Sequence, residues 1–153
     1  MRVAKGKTKR KICAIFIALT MILLNITSAF GATIKFTDIS SHWARPYIEK
    51  LTAARITTGV EVKNGVGKYA PEAPVKRIEV ITMLIRLLGL EEEAKTMTLP
   101  SSFPKASEVP SWGKGIVAMA ISKGIIPTNR DFKANADALR EDVAIMAVRA
   151  LGF

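Results

Sequence analysis

The sequence predicts an all-α protein made of two helix-loop-helix repeats that pack on each other. The first observation is an amphipathic stretch, residues 75–90, with apolar side chains three and four residues apart and a glycine stop. The second is that the same pattern returns at residues 138–153. The third is a shorter amphipathic segment ahead of each stretch. A pair of short helices is too small to bury its apolar faces alone, so the two units are expected to share a core.

The repetition has a constant spacing of 63 residues. The matching pairs are Arg77 and Arg140, Glu79 and Asp142, Met83 and Met146, Arg86 and Arg149, and Gly89 and Gly152. A fixed spacing indicates an internal repeat. We predict that Gly89 adopts a left-handed conformation after the last helical turn and that Leu90 folds back in a Schellman ending. The predicted apolar face of this helix is Val80, Ile81, Leu84, Leu87 and Leu88.

The first unit is predicted to contain a helix and a loop before residue 75. Ser40 and Ser41 are candidate N-caps for a helix with Pro46 in its first turn. Its predicted apolar face is Ala44, Tyr47, Ile48, Leu51 and Ala54. Residues 61–68 are predicted to be a loop that turns at Asn64-Gly65.

The second unit restarts after a predicted polar linker, residues 91–102. Ser111 is the candidate cap of its first helix, whose predicted apolar face is Ile116, Val117, Ala120 and Ile121. Gly124 follows this helix where Arg55 follows the first. If the position needs a positive φ, Arg55 costs about 1 kcal/mol there. The predicted organisation is residues 35–90 (repeat 1) and 103–153 (repeat 2).

Charge and hydropathy predict a secretory signal peptide at residues 1–31. Six of the 23 basic residues lie within residues 2–11, so the rest of the chain carries 17 basic against 13 acidic residues. A net charge of +4 without a basic stripe argues against nucleic-acid binding. An apolar segment, residues 12–26, precedes a small-x-small pattern that favours cleavage after Gly31. An uncleaved membrane anchor is the alternative; in both cases the remainder faces the outside of the cell.

The residues give no support for catalysis, a cofactor or a metal site. The only cysteine, Cys13, leaves with the predicted signal peptide. The only histidine, His42, has no partners in a pattern typical of a catalytic triad, and we interpret it as structural or exposed. No pair of acids suggests a glycosidase, and residues 64–68 lack the serine or threonine of a phosphate-binding loop. The sequence therefore predicts a protein that is not an enzyme.

An ordered set of residues resembles the S-layer homology family. In repeat 1 the set is Phe36-x-Asp38-Ile39, His42-Trp43-Ala44, Tyr69-x-Pro71 and Arg77-x-Glu79 with the Leu88-Gly89 ending. Repeat 2 follows it more loosely, with Phe103, Trp112, residues 123–126, Phe132, Arg140 and the Leu151-Gly152 ending. The resemblance covers residues 35–153. It implies a non-covalent cell-wall anchor, usually three repeats in a pseudo-threefold prism, of which this chain shows two.

The same resemblance implies a binding site at the start of the second helix of each repeat. The family carries Thr-Arg-Ala-Glu there, and grooves between repeats hold a secondary cell-wall polysaccharide that often bears a pyruvate ketal. In this chain Arg77 and Arg140 keep the arginine, while Lys76 and Leu139 replace the threonine, so no hydroxyl is available for the capping box. Asp137 is a candidate replacement cap for the second helix. An arginine beside helix N–H donors suits a carboxylate.

Each candidate residue also has a structural interpretation. Arg77 and Arg140 are either ligand residues or solvent-exposed arginines paired with a nearby acid. Lys76 is a further cation for an anionic ligand. Trp43 and Trp112 either stack on a sugar ring or act as packing anchors with one edge at a groove. Their positions at helix starts with apolar neighbours favour packing.

Two functions follow as hypotheses. The first is a secreted module that binds an anionic secondary cell-wall polysaccharide. The second is a protein interaction or oligomerisation module without glycan affinity, whose partner is a second copy or another repeat-bearing protein.

Overall fold

The computed structural model describes residues 34–153, so the predicted signal peptide lies outside the described residues. In chain order the elements are β1 (Lys35–Phe36), α1 (Arg45–Ala53), β2 (Glu61–Lys63), β3 (Val66–Lys68), α2 (Arg77–Leu87), α3 (Glu91–Lys95), α4 (Lys114–Ser122) and α5 (Arg140–Ala150), with short 3₁₀ turns at Ala106–Glu108 and Ser111–Gly113. Within this part of the chain, no helix has the length and apolar character needed to cross a membrane.

The all-α expectation is incomplete, because repeat 1 contains a small three-stranded sheet. The strand order is β1-β3-β2, with β1 parallel to β3 and β2 antiparallel to β3. Asn64 and Gly65 both have positive φ, 53° and 78°, as a tight hairpin turn requires. The predicted turn is therefore confirmed, and the predicted loop around it is a hairpin. Three-residue strands are too short to show an alternating pattern in the sequence.

The main apolar core contains side chains from both repeats. Its fully buried members are Ile78, Ile81, Ile85, Val117, Met119 and Ile125. Helix α4 is buried along the face that the sequence predicts, although Ile121 is only half-buried. A smaller cluster of Phe36, Ile39 and Ile48 lies under the sheet and α1. The two repeats therefore pack on each other through the main core, as predicted. The threefold prism stays a prediction.

The predicted apolar faces of α1 and α2 are partly wrong. Helix α2 buries Ile78, Ile81 and Ile85, whereas Leu87 and Leu88 are 59% and 37% exposed. The buried side faces α4 and α5, so it begins one turn earlier than the leucine pattern indicates. In α1 only Ile48 and Thr52 are buried.

The helix endings agree with the sequence. Gly89 and Gly152 have φ values of 71° and 87°. Leu90 N donates to Ile85 O at 3.0 Å, which is the Schellman bond predicted for this ending. Arg55 and Gly124 adopt the same left-handed conformation, with φ of 58° and 69°. Repeat 1 therefore places an arginine where a glycine would carry no steric cost.

The predicted serine caps are wrong. No side-chain hydrogen bond caps α1 or α4. Ahead of α1, Ala44 N donates to His42 Nδ1 at 3.1 Å, and His42 Nε2 lies 2.7 Å from Glu72 Oε1. Since Nδ1 accepts a hydrogen bond, Nε2 carries the proton and donates to Glu72. His42 is therefore structural, as we expected.

The segment between the repeats is not a passive linker. Residues Glu91–Lys95 form α3, and Ala94 is fully buried. Leu99 also belongs to the main core. Gly115 of α4 packs so closely on α3 that a Cβ added to it would collide with the Ala94 carbonyl oxygen. The acidic residues of α3 gave the segment a polar pattern, so the sequence did not indicate this packing contact.

Candidate functional site

The first turn of α2 is joined to repeat 2 by backbone hydrogen bonds. Arg77 N donates to Ala136 O at 2.9 Å and Ile78 N donates to Ala134 O at 3.0 Å. In return Ala138 N donates to Val75 O at 2.8 Å. The helix N-terminus was expected to offer its N–H groups to an anionic ligand. These two N–H groups are already used by the protein.

Arg77 extends the same interface with its side chain. Its Nη1 donates to Asp142 Oδ2 at 2.9 Å, and the two side chains are 27% and 17% exposed. Its guanidinium carbon lies 5.4 Å from the centroid of the Phe132 ring. The Nε atom is buried without a hydrogen-bond partner among the described residues. Arg77 thus lies between the repeats, in contact with an acid and an aromatic ring.

Lys76 is also paired across the interface. Its Nζ forms a salt bridge with Asp137, and the two residues are joined by an antiparallel backbone bridge. The sequence suggested that Asp137 caps α5. This prediction is wrong, because Asp137 pairs with Lys76 and the N-cap residue of α5 is Leu139. We call the contacts between residues 75–79 of repeat 1 and residues 132–142 of repeat 2 the inter-repeat interface.

Half of each capping box survives. Lys76 N donates to Glu79 Oε2 at 2.7 Å, and Leu139 N donates to Asp142 Oδ2 at 3.1 Å. Neither a lysine nor a leucine side chain can return a bond to the helix N-terminus. The acid of the Arg-x-acid pattern is therefore the cap in both repeats, and in repeat 2 it also receives Arg77.

The other predicted site residues are accessible. Arg140 is exposed and forms no ion pair or side-chain hydrogen bond within residues 34–153. Trp43 and Trp112 are 78% and 61% exposed, so their interpretation as packing anchors is wrong. Trp43 lies in an aromatic group, 5.7 Å from His42 and 6.4 Å from Tyr47 between ring centroids.

A groove of about 490 Å³ lies where Trp112 of repeat 2 meets repeat 1. Its wall in repeat 1 includes Thr57 and Thr58 after α1, and Glu79 and Arg86 of α2. Of the five predicted site residues, the groove contains Trp112 alone. Lys76 and Arg77 lie at the inter-repeat interface, while Trp43 and Arg140 lie elsewhere on the surface.

Arg86 is a groove residue that the sequence analysis did not propose. Its Nε donates to Glu91 Oε1 at 2.9 Å, and its Nη1 lies 3.4 Å from Ile56 O. Arg149 reaches Ile125 O at the same distance of 3.4 Å in repeat 2. The repeated arginine thus contacts the chain just after the preceding helix. The constant spacing of Arg86 and Arg149 was the available signal.

Asp38 fixes the segment that leads to the interface. Its carboxylate accepts hydrogen bonds from Tyr69 N at 3.0 Å and Ala70 N at 2.8 Å. These backbone donors, first of all Tyr69 N, lower the pKa of Asp38, and nearby Lys68 adds to the effect.

Repeat 2 exchanges the two charges. Lys105 stands two residues after Phe103, as Asp38 stands after Phe36, and it pairs with Asp131 at 3.1 Å. Asp131 takes the position of Lys68 and accepts a hydrogen bond from Lys133 N at 3.0 Å. That bond, followed by the one from Lys105, lowers the pKa of Asp131. Repeat 2 therefore closes on an ion pair, whereas repeat 1 closes on backbone hydrogen bonds to Asp38 with Lys68 as a nearby charge.

The described residues contain no group of three or more histidine, cysteine, aspartate or glutamate side chains that could hold a metal ion.

A family model matches most of the first repeat. Residues 35–81 match the S-layer homology domain family. Over these residues the chain is similar to an S-layer homology domain. This match contains Asp38, Trp43 and Arg77, the residues on which the resemblance was drawn. No solved structure matches the chain.

Several curated proteins resemble most of the chain. A cell surface protein of Thermoanaerobacter kivui is 28% identical over 96% of this chain, and a middle cell wall protein of Brevibacillus brevis is 24% identical over 96%. An endoglucanase of a Bacillus species is 28% identical over 87% of the chain. The chain spans only 19%, 14% and 13% of these three relatives. The match to the S-layer homology domain family and the cell-surface relatives support a secreted, cell-surface location.

Proposed function

We propose that this chain is a non-catalytic module that holds its protein at the cell wall by binding a secondary cell-wall polysaccharide. The S-layer homology domain and the relatives named as cell surface and cell wall proteins support the wall as its destination. The observation that carries the proposal is Trp112, which is 61% exposed at a groove of about 490 Å³ between the repeats. A groove of this volume is of ligand size.

The groove offers the groups that a sugar chain needs. The indole of Trp112 presents a flat apolar surface for the C–H face of a sugar ring. The hydroxyls of Thr57 and Thr58 supply donors and acceptors for sugar hydroxyls. Arg86 also lies at the groove wall, where its Nε is already paired with Glu91.

An anionic substituent on the polysaccharide has three candidate partners at the helix starts. Lys76 and Arg77 are paired with Asp137 and Asp142, so a ligand carboxylate would have to displace an existing one. Arg140 has no such partner in the described part of the chain. We therefore assign Arg140 the first place among the cations. Trp43, with Tyr47 beside it, is a second stacking surface.

A binding assay with purified cell walls tests this proposal. Residues 32–153, the form left by the predicted cleavage, are expected to sediment with intact walls and to stay in solution when the secondary polysaccharide has been removed chemically. Equal binding to stripped walls, or no binding to either, would contradict the proposal.

Single variants locate the site. Trp112→Ala should weaken wall binding about three- to tenfold through loss of ring stacking. Arg140→Gln should weaken binding only to polysaccharide that keeps its acidic substituents. Lys123→Gln is the matched control, since Lys123 is an exposed cation outside the groove and the interface. If the control loses as much affinity as Arg140→Gln, binding depends on net charge and not on a site.

The second candidate function is protein interaction without glycan affinity, and the surface of α5 favours it. Helix α5 buries only Met146. Around it the exposed apolar side chains are Leu139, Val143, Ile145, Val148, Leu151 and Phe153. A helix surface that exposes several large apolar side chains favours contact with another protein. A protein that self-associates and does not bind walls would support this function over the first.

A further inference from the structure

Both halves of the inter-repeat interface occur a second time, without a partner in the described part of the chain. One half is the first turn of α2, which donates Arg77 N and Ile78 N and the Arg77 side chain. Its equivalent, 63 residues later, is the first turn of α5 with Arg140 and Glu141. No acceptor for the N–H groups of Arg140 or Glu141 is present within residues 34–153.

The other half is the segment that receives α2. It consists of Phe132, the carbonyls of Ala134 and Ala136, and the Asp142 carboxylate. The equivalents in repeat 1 are Tyr69, the carbonyls of Pro71 and Ala73, and the Glu79 carboxylate. Those two carbonyls accept no hydrogen bond from any residue between 34 and 153. Glu79 is exposed, and one of its oxygens is used by Lys76 N.

The unused receiving segment already has the shape of the used one. Ala70 and Lys133 both have positive φ, 56° and 50°. In both segments a turn bond of similar length follows, from Ala73 N to Ala70 O at 3.0 Å and from Ala136 N to Lys133 O at 2.9 Å. A segment that is already folded for docking loses little conformational entropy when it binds.

The unused helix start is preformed as well. Leu139 has φ −80° and ψ 157°, and Lys76 has φ −78° and ψ 151°. Both are followed by the same bond from the cap N–H to the acid three residues on. The exposed Arg140 and the exposed Glu79 are complementary in charge, as Arg77 and Asp142 are in the formed interface.

We propose that a second copy of this chain docks residues 69–79 on the first turn of α5, so that Arg140 of one copy pairs with Glu79 of the other. This inference names the partner that the second candidate function leaves open and rests on that function. Residues of the docking segment, Glu79 among them, also line the groove, so docking and glycan binding would compete for this surface. The contact is head-to-tail, since each copy brings one half of each kind, and it therefore builds rings or open chains. Glu141 stands where the buried Ile78 stands, so this contact lacks one apolar side chain and is weaker than the internal interface.

Sedimentation velocity of residues 32–153, without wall polymer, tests the proposal. The wild-type chain should show a mass that rises with concentration. Arg140→Glu blocks one half and Glu79→Arg blocks the other, and each variant alone should associate at least about tenfold more weakly. An equimolar mixture of the two variants should associate again, because Arg140 of one chain meets Glu79 of the other and the two introduced charges are also opposite in sign.

Matched controls carry the same charge changes away from the interface. These are Lys123→Glu and Glu93→Arg, which should associate like the wild type. Since Glu79 also caps α2, Glu79→Gln provides a second variant that keeps an acceptor oxygen and removes the charge. Arg140→Gln is the corresponding second variant for the other half. Far-UV circular dichroism confirms that each variant is folded.

A wild-type chain that stays monomeric at every concentration overturns the proposal, as does a mixture of the two blocked variants that remains monomeric. A monomer that binds walls overturns this inference and leaves the glycan proposal standing. A chain that self-associates and does not bind cell walls would support this inference and contradict the glycan proposal.

Discussion

The pair of Arg77 and Asp142 is expected to contribute more to stability than any exposed ion pair of this chain. The N–O distance of 2.9 Å corresponds to about 6 kcal/mol of Coulomb attraction at an effective dielectric constant of about 20. Desolvation and side-chain ordering remove most of it, and charge-assisted hydrogen bonds retain about 1.5–3 kcal/mol. With both side chains half-buried, we expect a coupling energy of about 2 kcal/mol.

A double-mutant cycle measures this coupling. Arg77→Ala should lower the free energy of unfolding by about 3 kcal/mol, because it removes the bond to Asp142 and the contact with Phe132. Asp142→Ala should cost about as much, since Leu139 N also loses its acceptor. The double variant should lose about 2 kcal/mol less than the two single losses together. Urea unfolding of residues 32–153, followed by far-UV circular dichroism, supplies the four values.

The matched control is the pair of Arg45 and Glu49 on α1, which has a similar distance of 2.7 Å but side chains 51% and 50% exposed. Its coupling should be about 0.3–0.5 kcal/mol and should fall in 1 M salt, whereas that of the interface pair should persist. A coupling for Arg77 and Asp142 no larger than that of the control would refute the view that this pair holds the repeats together.

Three further outcomes are expected. Gly115→Ala should lower the free energy of unfolding by about 2 kcal/mol or more, because the new Cβ collides with the Ala94 carbonyl oxygen. This loss is expected even though alanine normally favours a helix over glycine. The control Lys114→Ala should be nearly neutral in the same urea titration. Arg55→Gly should be about 1 kcal/mol more stable than Arg55→Ala, because both lack the side chain and only glycine fits the positive φ without strain; equal midpoints would contradict this. Because the pKa of Asp38 is lowered in the folded protein, the contribution of its carboxylate to stability is complete above the unfolded pKa of about 3.9 and is lost as the pH falls through the folded pKa. The difference in free energy of unfolding between wild type and Asp38→Asn should therefore shrink between pH 6 and pH 3. A difference that widens over this range would contradict the prediction.

The features that could be predicted from the sequence are those set by neighbouring residues. The left-handed glycines and the Schellman bond of Leu90 depend on a single helical turn, and the sequence predicts both. The face that α2 buries depends on where α4 and α5 lie, so the leucines at positions 87 and 88 gave a misleading pattern. The hairpin at residues 61–68 was missed because its strands have three residues each.

The candidate site was predicted in part for the same reason. The spacing of 63 residues singled out Arg77 and Asp142 as members of one motif in two copies. Their contact joins residues 65 positions apart, and no local pattern indicates that the arginine of one copy meets the acid of the other. The exposure of Trp43 and Trp112 likewise depends on what covers a helix start in three dimensions.

The exchanged charges, Asp38 near Lys68 in repeat 1 and Lys105 paired with Asp131 in repeat 2, restrict how the gene segments for the two repeats can recombine. A crossover that moves a whole repeat keeps each pair together. A crossover between the lead and the loop of a repeat would join Asp38 to Asp131, or Lys105 to Lys68, and place like charges at the position where the segment must close. The two repeats can therefore diverge, or be duplicated as units, but they cannot exchange their halves without loss of stability.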